Sequence, residues 1–187
     1  MSRAFLLLLL IFCARELGAQ GTVVLPQPPL DSARASLRDG LLVLRDSLNS
    51  IDAAASRLQR DYRGASAAAL LSRARVMRDA CARSARTVVP TRETVAAALI
   101  TDPRKQKRRG ELIQALDRLQ EELTRCHSDF AALAQPGQGE QVRGYGNQRA
   151  VRVQAALRTY APKASAFLAA MGIRVAPLGA APSPLAS

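Results

Sequence analysis

The chain has 187 residues and a formal net charge of +12, from 27 Lys and Arg residues against 15 Asp and Glu residues. Aromatic residues make up 4% and Trp is absent, whereas Ala and Leu are abundant, and this composition favours closely packed helices over a sheet. With one histidine and no G-x-S-x-G sequence, the chain gives no support to Ser–His–Asp catalysis and excludes a di-iron bundle, which needs two histidines.

Residues 1–19 have the pattern of a secretory signal peptide. Arg3 supplies a positive charge, residues 5–12 form an unbroken apolar run, and Ala19 is a small residue at which cleavage before Gln20 is expected. The alternative is an uncleaved membrane anchor, but this apolar run is far shorter than the roughly 20 residues that a membrane-spanning helix needs. The sequence therefore predicts a periplasmic or secreted protein.

The next segment is predicted to be an extended arm that leads into a first helix. Residues 20–30 contain three prolines, and Asp31 can cap a helix by accepting hydrogen bonds from the free N–H groups of its first turn. The apolar positions that follow alternate spacings of four and three, so they share one helix face. They are Leu37, Leu41, Leu44, Leu48, Ile51, Ala55, Leu58 and Tyr62. Gly64 is expected to end this helix in the left-handed conformation.

A second helix is predicted from about residue 65 to residue 100, with a kink at Pro90. In an antiparallel hairpin with the third helix, Cys81 and Cys126 lie at equal distances from the turn only if the helix continues past Pro90. The spacing of the apolar residues agrees with this. They are Ala67, Leu70, Ala74, Met77, Cys81, Ser84, Val88, Val95 and Ala98.

The third helix is predicted to begin at Pro103, with Asp102 as its cap, and to end near Gln135. Its apolar face is Leu112, Leu116, Leu119, Leu123, Cys126, Phe130 and Leu133. Cys81 and Cys126 are the two cysteines left after signal cleavage, and an oxidising compartment favours a disulfide between them. The alternative is two buried free thiols. Because neither cysteine belongs to a Cys-x-x-Cys pair, a structural role is expected rather than a redox role.

Residues 136–147 contain four glycines and are predicted to be a loop. A fourth helix is expected from about Asn147 to Gly172, interrupted by Pro162. Its apolar positions are Ala150, Val153, Leu157, Tyr160, Ala164, Phe167 or Leu168, and Met171. Residues 174–187 are rich in Pro and Ala and are predicted to be a disordered tail. The fold class is therefore all-α: an antiparallel up-down bundle of three long helices plus a kinked fourth helix, over residues 31–173.

The single histidine, His127, raises the hypothesis of a cofactor. A histidine inside a four-helix bundle can ligate haem or a metal, and Met77 or Met171 would be a second ligand. Covalent haem attachment needs C-x-x-C-H, however, and this chain has only Arg125-Cys126-His127. The two methionines lie at apolar positions, where Met commonly fills a core. We therefore predict no metal site and no cofactor, and keep the His127 bundle as the alternative.

Five cations within six residues make residues 104–109 the candidate anion-binding site. The cations are Arg104, Lys105, Lys107, Arg108 and Arg109. They lie at the beginning of a helix, where the helix dipole disfavours positive charge by a few tenths of a kcal/mol each. Free N–H groups at a helix N-terminus also bind anions. The competing interpretation is a solvated end of the bundle in an arginine-rich chain.

These features predict a non-enzymatic exported binding or scaffold protein with a basic surface. An export signal, helices and positive charge resemble small basic periplasmic helical chaperones in class, without a shared motif. The expected partners are anionic components of the cell envelope or acidic unfolded proteins, because a large positive charge concentrates polyanions around the protein. No nucleic acid is expected outside the cytoplasm. Homo-oligomers that form through helix faces are a further hypothesis.

Overall fold

The computed structural model describes residues 32–175 and residue 178. This part of the chain is all helical, with four helices packed against each other and no strand. The predicted all-α class is therefore confirmed. The predicted signal peptide, the proline-rich arm and the Asp31 cap lie outside the described residues, as does most of the predicted tail.

The four helices are close in length, and short connections join the first three. α1 is Ser32–Asp61, α2 is Ala67–Ala97, α3 is Pro103–Leu133 and α4 is Asn147–Ala170. Each helix packs against the next one, and α4 returns to pack against α1 as well. The result is the up-down arrangement that short turns between long helices impose.

Hydrogen bonds between α1 and α2 fix their relative register. The Ser47 and Ser84 hydroxyls are 2.6 Å apart, and the Thr91 hydroxyl donates to the carbonyl oxygen of Gly40 at 3.3 Å. The partners advance along α2 as they go back along α1, so the two helices are antiparallel. Ser84 and Thr91 are the buried polar side chains of the described core, and these bonds satisfy their hydroxyls, which would otherwise be costly to bury.

The apolar faces predicted from spacing form the core. Every apolar position predicted for α3, from Leu112 to Leu133, is buried, and so are those from Leu37 to Leu58 on α1. Tyr62, at the end of the α1 pattern, is only half-buried, and Ala67, the first predicted position of α2, is exposed. Burial of each large side chain stabilises the fold by about 1.5–3 kcal/mol, which explains why the packing of these faces dominates the architecture.

Pro90 lies inside α2 and does not end it. Proline has no N–H to donate, so its presence in a helix costs about 3 kcal/mol or more. Val88 and Val95, on either side of Pro90, are both fully buried, and their packing keeps the second half of α2 against the bundle. The helix ends at Ala97, and α3 starts at Pro103 with the carboxylate of Asp102 as its cap.

The prediction of a loop over residues 136–147 is wrong from residue 139 onwards. Gly139–Gln141 is a helical turn, Val142–Gly146 is a π-helix, and both lead directly into α4. The fourth helix is thus a joined, kinked element. Gly139 lies against Ala67, and Val142 is fully buried, so tertiary packing outweighs the unfavourable helix propensity of the glycines.

The left-handed conformation predicted for Gly64 is also wrong. Among the described residues, positive φ angles occur at Gly137 and Gly172, and the latter agrees with the predicted end of the fourth helix. The end of α1 is capped instead by the Arg143 guanidinium, which donates to three backbone carbonyl oxygens. These belong to Tyr62, Arg63 and Ala65, at 2.8, 2.9 and 2.8 Å. A side chain 80 residues away thus does what a glycine was expected to do.

After Gly172 the chain turns back onto the bundle. Ile173 is buried, and Val175 and Leu178 are half-buried against the core. Val175 and Leu178 lie over the junction of α1 and α4, so the packed part of the chain extends beyond residue 173.

Candidate functional site

Cys81 and Cys126 form a disulfide, as the sequence predicts. Their Cα atoms are 6.0 Å apart, and both side chains are buried between α2 and α3. A buried disulfide is inert towards thiol exchange, because exchange needs an accessible sulfur. The pair is therefore a structural cross-link, and it is compatible with an oxidising compartment.

His127 lies on the surface of α3. Adjacent residues on a helix point about 100° apart, so the residue after the buried Cys126 is directed away from the core. Its Nδ1 atom is 3.4 Å from the carbonyl oxygen of Arg78, whereas Met77 is fully buried. A bundle cofactor needs a histidine inside the core, and this position does not provide one. Within residues 32–175, no three or more His, Cys, Asp or Glu side chains are grouped to hold a metal.

One end of the bundle gathers positive charge. The antiparallel packing brings the start of α1, the end of α2 and the start of α3 together there. We call this surface the basic end. Its cations are Arg34, Arg104, Lys105, Lys107, Arg108 and Arg109. The sequence placed five of these six in one run, and the fold adds Arg34.

Contacts within the protein use part of this predicted anion site. Asp102 Oδ1 accepts hydrogen bonds from the backbone N–H groups of Arg104 and Lys105, at 2.8 and 3.3 Å, so two of the three free donors at the start of the helix are occupied, since Pro103 has no N–H. Arg108 forms an ion pair with Glu111 at 2.9 Å. Arg109 donates to the carbonyl oxygen of Ala98 at 2.6 Å and so caps α2.

Three cations of the run take no part in these contacts. Within the described part of the chain, Arg104, Lys105 and Lys107 form no ion pair. Arg104 and Lys105 occupy the first turn of α3 and Lys107 the second, where the helix dipole gives cations no favourable interaction. These three, rather than all five, are the cations that remain available to an anionic partner.

Leu99 is the most exposed large apolar residue of the described chain, at 100% of its surface. The connection that carries it is well fixed, because Arg109 binds the carbonyl of Ala98 and Gln106 Nε2 donates to the carbonyl of Ile100 at 2.8 Å. Beside Leu99 is a hollow of about 370 Å³. Its apolar lining is Ala33, Leu37, Ala97, Ala98, Leu99, Ile100 and Met171. Sequence reasoning missed this feature, although two apolar residues in a turn were a signal.

A second concave surface runs between α3 and α4, with a volume of about 480 Å³. We call it the α3–α4 groove. Small and apolar side chains from both helices line it: Ala115, Leu119, Ala155, Ala156 and Tyr160. Charged and polar side chains surround them: Glu111, Gln114, Arg118, Glu121, Glu122, Arg152, Thr159 and Lys163. Nothing in the chain order pointed to this groove, because its two walls are some 40 residues apart.

Ion pairs cross the groove at both ends. Arg152 Nε is 3.0 Å from Glu122, and Lys163 Nζ is 3.8 Å from Glu111. A hydrogen bond from Arg108 holds the pKa of the Glu111 carboxyl below its usual value. Tyr160 is 4% exposed, and burial raises the pKa of its phenol well above the usual value. Its hydroxyl forms no hydrogen bond to any described residue.

Comparison with known proteins adds no assignment. No protein-family model matches the chain, and no curated protein or solved structure is similar to it. None of the helices over residues 32–175 combines the length and the apolar character needed to span a bilayer. The candidate sites therefore depend on their own geometry.

Proposed function

We propose that this is an exported, non-enzymatic binding protein that attaches through its basic end to anionic lipid surfaces of the cell envelope. The observation that carries the proposal is a fully exposed Leu99 that shares a hollow with Lys105, at an end of the bundle where Arg104, Lys105 and Lys107 form no ion pair in the described structure. Proteins that bind membrane surfaces place apolar side chains among the acyl chains and cations among the headgroups.

The energies fit weak, reversible attachment. Each Lys or Arg near an anionic lipid surface contributes about 1 kcal/mol, and burial of a leucine side chain contributes about 1.5–3 kcal/mol. Arg104, Lys105, Lys107 and Leu99 together supply about 5 kcal/mol, which corresponds to a dissociation constant on the order of 0.2 mM. A single molecule would therefore exchange rapidly between the surface and solution.

A further feature supports this role. The Cys81–Cys126 disulfide suits an oxidising compartment, where anionic lipids are accessible to an exported protein. Export itself depends on the predicted signal peptide at residues 1–19.

Vesicle flotation tests the proposal. The exported protein should float with vesicles that contain phosphatidylglycerol and not with pure phosphatidylcholine, and binding should fall as salt rises. The variant Arg104→Gln/Lys105→Gln/Lys107→Gln should bind about a hundredfold more weakly. Leu99→Ser should bind the vesicles at least about tenfold more weakly, and the size of this loss should depend little on salt.

A matched control removes the same charge elsewhere. Arg75→Gln/Arg83→Gln/Arg86→Gln changes three exposed arginines on α2 and should bind vesicles nearly as well as the unaltered protein. Equal losses in both triple variants would mean that net charge alone drives binding, and the proposal would be wrong. It would also be wrong if the protein ignored anionic vesicles but suppressed the aggregation of an acidic unfolded protein, since that result favours a chaperone.

A further inference from the structure

We propose that the α3–α4 groove is a binding site for a neutral, mostly apolar small molecule that carries a hydroxyl or carbonyl group. This site is separate from the basic end and goes beyond surface attachment. A volume of about 480 Å³ lies in the range of small-molecule sites, which are mostly apolar with a few converging polar groups. Three of the lining residues, Ala115, Ala155 and Ala156, are alanines, whose small side chains leave the groove open.

The charge around the groove favours a neutral molecule. Its margin carries three carboxylates and three cations, in a protein whose net charge is +12. The acidic side chains are Glu111, Glu121 and Glu122, and the basic ones are Arg118, Arg152 and Lys163. The groove thus lacks the excess of positive charge found at the basic end, and it gives an anionic molecule no preference over a neutral one.

The closed ends limit the size of the molecule. Glu111 and Glu122 are eleven residues apart on α3, and so are Arg152 and Lys163 on α4, so the two crossing ion pairs stand about 16 Å apart. A polypeptide that ran through the groove would break both pairs, whereas a small molecule fits between them. Each pair is partly exposed, and such pairs contribute only about 0–1 kcal/mol, so they open easily for entry.

The Tyr160 hydroxyl supplies the polar contact. Tyr160 lines the groove on one side and a far smaller hollow towards α1 on the other. Its side chain is 4% exposed, and its hydroxyl has no hydrogen-bond partner among the described residues and is not fully enclosed by them, so a bound molecule can reach the hydroxyl from the groove. A hydroxyl or carbonyl group of a bound molecule would satisfy it, which is why the site selects a molecule with one polar group rather than a pure hydrocarbon.

The test uses the neutral fluorescent probe N-phenyl-1-naphthylamine, which brightens in apolar sites, and its displacement by lipids of one chain length. Monolaurin, which is neutral and carries hydroxyls, should displace the probe at lower concentration than laurate or dodecylammonium. Ala155→Phe fills the groove from an exposed helix position and should weaken probe binding at least tenfold. The matched control Ala53→Phe adds the same ring at an exposed position of α1 and should leave binding unchanged.

Tyr160→Phe should weaken the binding of monolaurin about tenfold, because the hydroxyl that bonds the lipid is lost. The binding of the probe, which has no hydroxyl or carbonyl group, should change much less. The inference is overturned if Ala155→Phe and Ala53→Phe bind the probe equally, or if either charged lipid displaces it better than monolaurin. Vesicle attachment by the basic end is measured separately. Because Ala155→Phe leaves the basic end unaltered, failure of the groove and failure of surface attachment give distinguishable results.

Discussion

Removal of the Cys81–Cys126 disulfide should cost about 4 kcal/mol of unfolding free energy. The cross-link closes a loop whose ends are 45 residues apart, and loop-closure entropy for that length gives about 4 kcal/mol at 25 °C. The loss arises in the unfolded chain, which gains freedom when the link is absent. The folded bundle keeps its packing, because the other buried residues of α2 and α3 are untouched.

Urea unfolding of the exported protein, compared between the oxidised form and a form reduced with dithiothreitol while unfolded and then refolded in the reductant, measures this directly. A slope of about 2 kcal/mol per molar urea converts the expected loss into a midpoint lower by about 2 M. Reduction leaves both sulfur atoms in place, whereas Cys81→Ala/Cys126→Ala also creates small cavities and should lower the midpoint further. A shift below about 0.5 M, with two free thiols found by titration, would refute the loop-closure reasoning.

Two further predictions concern single residues. Gly139→Ala should destabilise the fold by about 1–3 kcal/mol, because the added Cβ would lie 2.6 Å from Ala67 Cβ and 2.8 Å from its Cα. Gly110→Ala, which has open space around it in α3, should instead stabilise the fold by up to about 1 kcal/mol. Thermal unfolding that ranks the two variants the other way would contradict this. Tyr160 keeps its proton when the phenol of the unfolded chain ionises near pH 10, so the unfolded state binds fewer protons and stability falls as the pH rises above 10. The urea midpoint of Tyr160→Phe should therefore fall less between pH 9 and pH 11 than that of the unaltered protein. If both midpoints fall equally, Tyr160 is not a cause of the decline.

The long helices were accessible from the sequence because apolar spacing records which face is buried. The α3 pattern from Leu112 to Leu133 needed no knowledge of its neighbours. The apolar spacing of α2, together with the positions of the two cysteines, also predicted that α2 continues past Pro90. Local rules failed where a distant residue decides the conformation. Gly64 had the sequence of a helix end, but Arg143 caps the carbonyls there, and the glycines near residue 139 are helical because they pack on α2.

The candidate sites divide in the same way. The basic run could be predicted because its residues are adjacent in the sequence. The hydrogen bonds from Arg104 to Asp102 and from Arg109 to Ala98 could not, because they depend on how the turn between α2 and α3 closes. The α3–α4 groove unites Glu111 with Lys163 and Glu122 with Arg152, pairs that only the packing of the bundle brings together.

The position of the disulfide determines which movements the bundle retains. It ties α2 to α3 covalently and leaves α1 and α4 held by packing, hydrogen bonds and ion pairs, so we expect partial opening to start at α1 or α4. A swing of α4 would widen the groove while the turn that presents Leu99 keeps its shape, since that turn belongs to the cross-linked hairpin. Under the two proposals above, the groove would release its ligand while the protein stays attached through the basic end, and we expect amide exchange in α4 to be faster than in α2 and α3.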